Sequence, residues 1–142
     1  MRNERFYRVV FLVAALWDLI LGFVFFVFLR TIFSTLGTQV PENTSYAHLS
    51  AAFVFVQGLG YYYVYRNLRR NADIVRVGLV YKIVYTGVAF YYWAIGESPH
   101  FVFTAFGFVD LIFIALFVLY LSDFQRLFGE GAPEAGRPTA AA

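Results

Sequence analysis

Three ionisable side chains stand where such groups are rare. Asp18, Lys82 and Asp110 each interrupt a long run of Phe, Leu, Val, Ile and Ala, and Gln57 is a fourth polar group in similar surroundings. A charge at the centre of a bilayer costs about 2.5–3.5 kcal/mol on the insertion scale. Intramembrane charges therefore face the interior of a bundle and pair with one another. One ammonium between two carboxylates, with an amide beside them, is the economical arrangement of these four residues. It leaves a formal charge of −1, which a proton or a bound cation neutralises. Such a layer can relay protons, bind a cation or grip the polar head of a ligand. It can equally be a structural clasp that holds helices in register.

Other chemistry finds little support in the residues. There is no cysteine, which excludes disulfide, thiolate and zinc–thiolate sites. His48, His100 and Glu97 lack metal-ligand spacing and read as surface groups. No nucleophile elbow, phosphate-binding glycine loop or dinucleotide fingerprint occurs, and Gly58-Leu59-Gly60 is too short to count. Haem needs an axial ligand deep among the helices, and only His48 comes near one. No catalytic residue, cofactor or metal follows from the chain, and its reading is non-enzymatic. The net charge of +2 also lacks the clustered Lys and Arg of a nucleic-acid binder.

The elements that must position the polar layer follow from composition. The chain is 61% hydrophobic and 14% charged, with 18 Phe and 11 Tyr. An average soluble domain is about 45–50% apolar and about 25% charged, so one bundle of this size cannot hide so much apolar surface from water. Four stretches have the roughly 20-residue length that a bilayer requires: Val9–Leu29, Tyr46–Tyr65, Val77–Ile95 and Phe101–Leu121. The first run follows Arg2, Arg5 and Arg8 but exceeds a signal-peptide core and lacks a small-x-small cleavage site, so it reads as a retained helix. The expected architecture is all-α, a transmembrane four-helix bundle over residues 1–128 with a disordered tail at 129–142. The first and fourth spans, richest in Phe, Leu, Val and Ile, are expected to face lipid. The second and third carry more small and polar residues, among them Ser50, Gly58, Gly60, Gly78, Thr86 and Gly87, and are expected to pack closely.

Arginine sets the expected orientation. Arg2, Arg5 and Arg8, then Arg66, Arg69, Arg70 and Arg76, then Arg126 and Arg137 fall on one side of the four spans, against Arg30 on the other. By the positive-inside rule both termini are cytoplasmic. Tyr61, Tyr62, Tyr63 and Tyr65 then form an inner aromatic belt, and Tyr91, Tyr92 and Trp93 an outer one. Arg66, Arg69 and Arg70 serve as a topology signal and offer contact to an anionic lipid. Counted at 1.5 Å per residue from the cytoplasmic ends, Asp18 lies about 14 Å deep, Gln57 about 12 Å, Lys82 about 8 Å and Asp110 about 16 Å. A lysine stem closes the difference. Asp18-Leu19-Ile20 recurs as Asp110-Leu111-Ile112, with Phe25 and Leu29 aligning to Phe117 and Leu121, an echo that an inverted repeat would leave.

Gly58-Leu59-Gly60-Tyr61, the Arg70 region, Gly78-Leu79 followed by Lys82, and Asp110-Leu111-Ile112 together resemble small, uncharacterised bacterial four-helix membrane proteins of the broad DoxX-like group. The resemblance runs over Gly58–Leu121, about half the chain. It implies a four-helix bundle in a bacterial inner membrane and no particular reaction. The chain departs from the group in lacking a proline near Asn67 and in having Phe113-Ile114 where paired tryptophans are common. The resulting reading is a membrane protein whose polar layer organises the bundle and offers a place for a lipid or a partner, a second copy of the chain included. The rival readings are a small proton- or ion-coupled transporter, and a membrane enzyme or redox-accessory subunit acting on a lipid or quinone.

Overall fold

The helices begin and end where the sequence supplies a physical reason. The structure is a computed structural model and describes residues 3–129. It contains α1 (Glu4–Thr35), α2 (Ser45–Arg66), α3 (Ala72–Ala94) and α4 (Phe101–Phe128), with no strand among the described residues. Asn3 caps α1, its side-chain oxygen accepting from the Phe6 amide at 3.0 Å. His100 caps α4 through Nδ1, which accepts from the Val102 amide at 3.0 Å. Gly37 and Gly96 follow the last turns of α1 and α3 with φ of 66° and 75°. Each lets the chain fold back so that the next amide reaches a carbonyl five residues earlier, Thr38 to Phe33 and Glu97 to Tyr92. That is how a glycine in the left-handed region closes a helix.

Three of the four helices, α1, α3 and α4, are long and apolar enough to cross a membrane. The fourth, α2, has 22 residues, about 33 Å of helix, but carries His48, Ser50 and Gln57. Against the expected spans, α1 runs on to Thr35, α3 begins at Ala72 rather than Val77, and α4 continues to Phe128. The earlier start of α3 matters most. It sets Lys82 about 15 Å along its helix instead of about 8 Å. Of the expected tail at 129–142, only Gly129 lies within the described residues.

The bundle is built from two tight pairs, α1 with α2 and α3 with α4, and α1 approaches α4 far less closely. Glycine permits the first pairing. A Cβ on Gly22 would stand 2.5 Å from the Phe55 amide nitrogen, and one on Gly58 would stand 2.7 Å from that of Leu19. Small residues allow this backbone approach where no hydrophobic drive exists between helices in lipid. Gly107 on α4 admits the ring of Phe90 in the second pair.

The division into lipid-facing and interior helices does not hold. Every helix exposes large apolar side chains, for instance Ile20, Phe53, Val77 and Ile112. Gly22 and Gly107 put close-packing positions on α1 and α4, while Gly87 on α3 faces open space. In an antiparallel bundle each helix has one inward stripe, and all four share the outside.

The cytoplasmic-facing end expected from the arginines is the densely packed end. Tyr7, Phe11, Tyr61, Phe117 and Tyr120 are fully buried there, with ring centroids of successive pairs 5.0–5.3 Å apart. Tyr61 is therefore core and not belt, and its hydroxyl donates to the Gly78 carbonyl at 3.3 Å. Tyr62 and Tyr63 are exposed as a belt requires. The Tyr120 hydroxyl donates to the Leu68 carbonyl at 2.6 Å, and Arg8 donates to the Tyr65 carbonyl at 3.2 Å. These bonds tie α1 to the last turn of α2, and α4 to the link between α2 and α3.

Substitution at the two kinds of glycine should separate their roles. Gly22→Ala forces backbone apart in the α1–α2 pair and is expected to destabilise by about 1–3 kcal/mol, the usual cost of overpacking. Gly87→Ala meets nothing and should be neutral or stabilising by about 0.5–1 kcal/mol. Thermal unfolding of both variants in detergent checks the contrast.

Candidate functional site

Lys82 lies on the inward stripe of α3, Ala72, Val75, Gly78, Lys82 and Thr86, whose three- and four-residue steps keep one helix face. The stripes of α1 and α4 bring Asp18 and Asp110 to the same place. The ammonium donates to Asp110 Oδ1 at 2.7 Å and lies 3.3 Å from both oxygens of Asp18. Side-chain exposures of 1% for Lys82, 3% for Asp18 and 7% for Asp110 leave the triad almost without solvent. Each member comes from a different helix.

An aromatic cage completes the surroundings. The Lys82 ammonium lies 5.1 Å from the ring centroid of Phe113, 5.5 Å from Tyr61 and 5.9 Å from Tyr81. All three are within cation–π range. The sequence placed Tyr61 in the inner aromatic belt and assigned Phe113 and Tyr81 no place beside the lysine; Phe113 lies three residues beyond Asp110, on the same face of α4. Gln57 stands apart from the triad. Its amide nitrogen and the Tyr61 hydroxyl both crowd the Cα of Gly78, where a Cβ would lie 2.9 Å and 2.7 Å from them. Gln57 is half-buried and gives no hydrogen bond to the triad.

Two further buried polar groups flank this layer. Thr86 lies one turn beyond Lys82 on α3, and Thr104 lies on the inward stripe of α4. Neither hydroxyl has a hydrogen-bond partner among the described residues. Thr86 stood among the small and polar residues expected to pack closely, while Thr104 was not singled out in its apolar run.

Outward of the triad the bundle is hollow. A cavity of about 240 Å³ among the four helices is walled by Gly22, Phe25, Ala51, Tyr85, Phe103 and Phe106, among others. It shares Leu21, Val54, Tyr85 and Phe106 with a smaller space of about 40 Å³ that touches Asp18, Lys82 and Asp110. The triad is thus the floor of an aromatic chamber. Inward of it lie the buried rings of the core.

The remaining candidates are elsewhere. Arg66, Arg69 and Arg70 are exposed at the packed end of the bundle. The side chain of Asn67 accepts from the Arg70 amide at 3.0 Å and that of Asn71 donates to the Tyr63 carbonyl at 2.7 Å, which holds this basic turn in shape. His48 packs its ring against Phe26 with centroids 5.4 Å apart, and His100 serves as a helix cap. Comparison with family models, with curated proteins and with solved structures finds no match to this chain.

Removing the cation should be the most damaging single change. Lys82→Met leaves two carboxylates facing each other in a buried layer, and loss of one partner of a buried ion pair costs about 3–5 kcal/mol. Adding Asp18→Asn and Asp110→Asn to Lys82→Met should restore part of the loss. Unfolding of the single and triple variants in detergent measures both effects. Equal stability of Lys82→Met and the parent would contradict the clasp.

Proposed function

We propose that this chain is a non-enzymatic membrane protein whose four helices all cross the bilayer, and whose ion triad both clasps the bundle and floors a chamber that receives a ligand. The observation that carries this reading is the position of the triad. It joins α1, α3 and α4 at the inner limit of an apolar cavity that opens away from the arginine-rich end.

Several features support the membrane setting. Phe, Val, Leu and Ile cover the outside of all four helices, which water would not tolerate as one continuous surface. The helix α2 is long enough to span, and its backbone is locked to α1 at Gly22 and Gly58. Where α1 crosses, α2 crosses with it. Among the described residues Arg5, Arg8, Arg66, Arg69, Arg70, Arg76 and Arg126 all lie toward one end, and Arg30 toward the other. The arginine-rich end, with both ends of the chain, belongs on the cytoplasmic side, in a bacterial inner membrane as the DoxX-like resemblance implies. Arg66, Arg69 and Arg70 are then placed to meet anionic headgroups.

The packing favours binding over transport. Rings of Phe11, Tyr61, Phe117 and Tyr120 fill the inner half, so the space ends at the triad and does not cross the bundle. The layer also lacks an assembled nucleophile and base, and this favours binding over catalysis.

The absence of cysteine makes the topology directly testable. Thr38→Cys, in the link between α1 and α2, should react with a membrane-impermeant maleimide in intact cells. Asn71→Cys, in the link between α2 and α3, should react only after the membrane is opened. Labelling of both sites from the same side would refute the four-span reading.

A further inference from the structure

We propose that the chamber receives a small lipophilic primary amine in its protonated form, one aromatic ring on a short alkyl chain, with the ammonium against Asp110 and Asp18. This rests on the reading that the triad floors a ligand chamber, and it adds the chemical class of the ligand.

Shape is the first argument. The chamber of about 240 Å³ shares lining residues with a space of about 40 Å³ at the triad, and on its other side with one of about 340 Å³ beside Glu97, Ser98 and Pro99. Tyr85 lines all three, and Phe103 joins the outer two. An apolar cavity of about 150 Å³ accepts benzene, so the chamber has room for a ring and a short chain. The innermost space has room for a water-sized group. An –NH3 head fits that limit, and a quaternary ammonium does not.

Charge is the second argument. Glu97 lines the neighbouring outer space, the wall presents Tyr85, Phe25, Phe103 and Phe106, and the floor carries two carboxylates against one ammonium. Each part favours a cation: the acids by Coulomb attraction, the rings through their negative faces. With both carboxylates ionised, an anion meets the net −1 of the floor, and a neutral ligand leaves that charge to be compensated by a proton alone.

Hydrogen bonding is the third. Lys82 occupies Oδ1 of Asp110, while Oδ2 of Asp110 accepts no hydrogen bond among the described residues, and Asp110 is the most exposed of the three. A primary ammonium brings three donors to this acceptor.

The test uses the full chain in detergent with Trp93→Phe, which leaves Trp17, a wall residue of the innermost space, as the sole tryptophan. The emission of Trp17 is titrated with 2-phenylethylamine, with its neutral isostere propylbenzene and with phenylacetate. The expected result is saturable binding of the amine, about tenfold or more weaker binding of propylbenzene and none of phenylacetate, as hydrogen bonds to charged groups imply. Asp110→Asn should weaken the amine by about tenfold or more. Val54→Phe, which fills the passage above the triad and leaves the triad intact, should abolish the response without lowering the melting temperature. Propylbenzene binding as well as the amine, or phenylacetate binding better, overturns the ligand class and leaves the chamber standing. Binding of none of the three to a folded protein overturns the chamber reading as well. Undiminished amine binding by folded Val54→Phe overturns the assigned place.

Discussion

An ammonium with no water must find anions, and in this bundle that requirement closes the fold. Two helix pairs pack tightly on their own, but α1 and α4 approach one another little. Lys82 reaches across from α3 to Asp110 on α4 and to Asp18 on α1. Replacing such a group of charges by apolar residues of equal volume often costs nothing in soluble proteins. The charges here instead give direction: only one register and one rotation of three helices puts all of them out of lipid.

The bundle is asymmetric about that layer. On one side, Tyr7, Phe11, Tyr61, Phe117 and Tyr120 fill the interior completely. The hydroxyls of the three tyrosines find backbone or carboxylate acceptors, Tyr7 on Asp123 at 2.5 Å, Tyr61 on Gly78 and Tyr120 on Leu68. On the other side Phe25 of α1, Ala47 and Val54 of α2, Tyr85 of α3 and Phe103 and Phe106 of α4 surround a space that stays open. The bundle thus has a solid base beneath a hollow chamber, with the charged layer at the boundary.

The echo between α1 and α4 can be placed within this asymmetry. Asp18 and Asp110 both turn inward to Lys82, and Ile20 and Ile112 both turn outward, at 60% and 61% exposure. Further along, the parallel ends. Phe25 lines the chamber, while Phe117 is sealed in the core. The two helices run in opposite directions, so equal offsets from the aspartate lead to opposite halves of the bundle. The likeness is local to the residues that answer the same lysine.

The run of apolar residues by itself determined the helical class, the number of long helices and the polar residue types that must be buried, because hydropathy and the penalty for charge in hydrocarbon act on each segment separately. The chain alone did not reveal where α3 begins, that Tyr61 is core, that Gln57 stands beside Gly78 and not on the triad, or that Gly22 matters where Gly87 does not. Each of these depends on which face meets which neighbour, and rotation about a helix axis is fixed only by packing. The chamber was the least legible feature, since an empty volume has no residue of its own. It exists where side chains of all four helices leave a gap between them, a relation that only the tertiary structure decided.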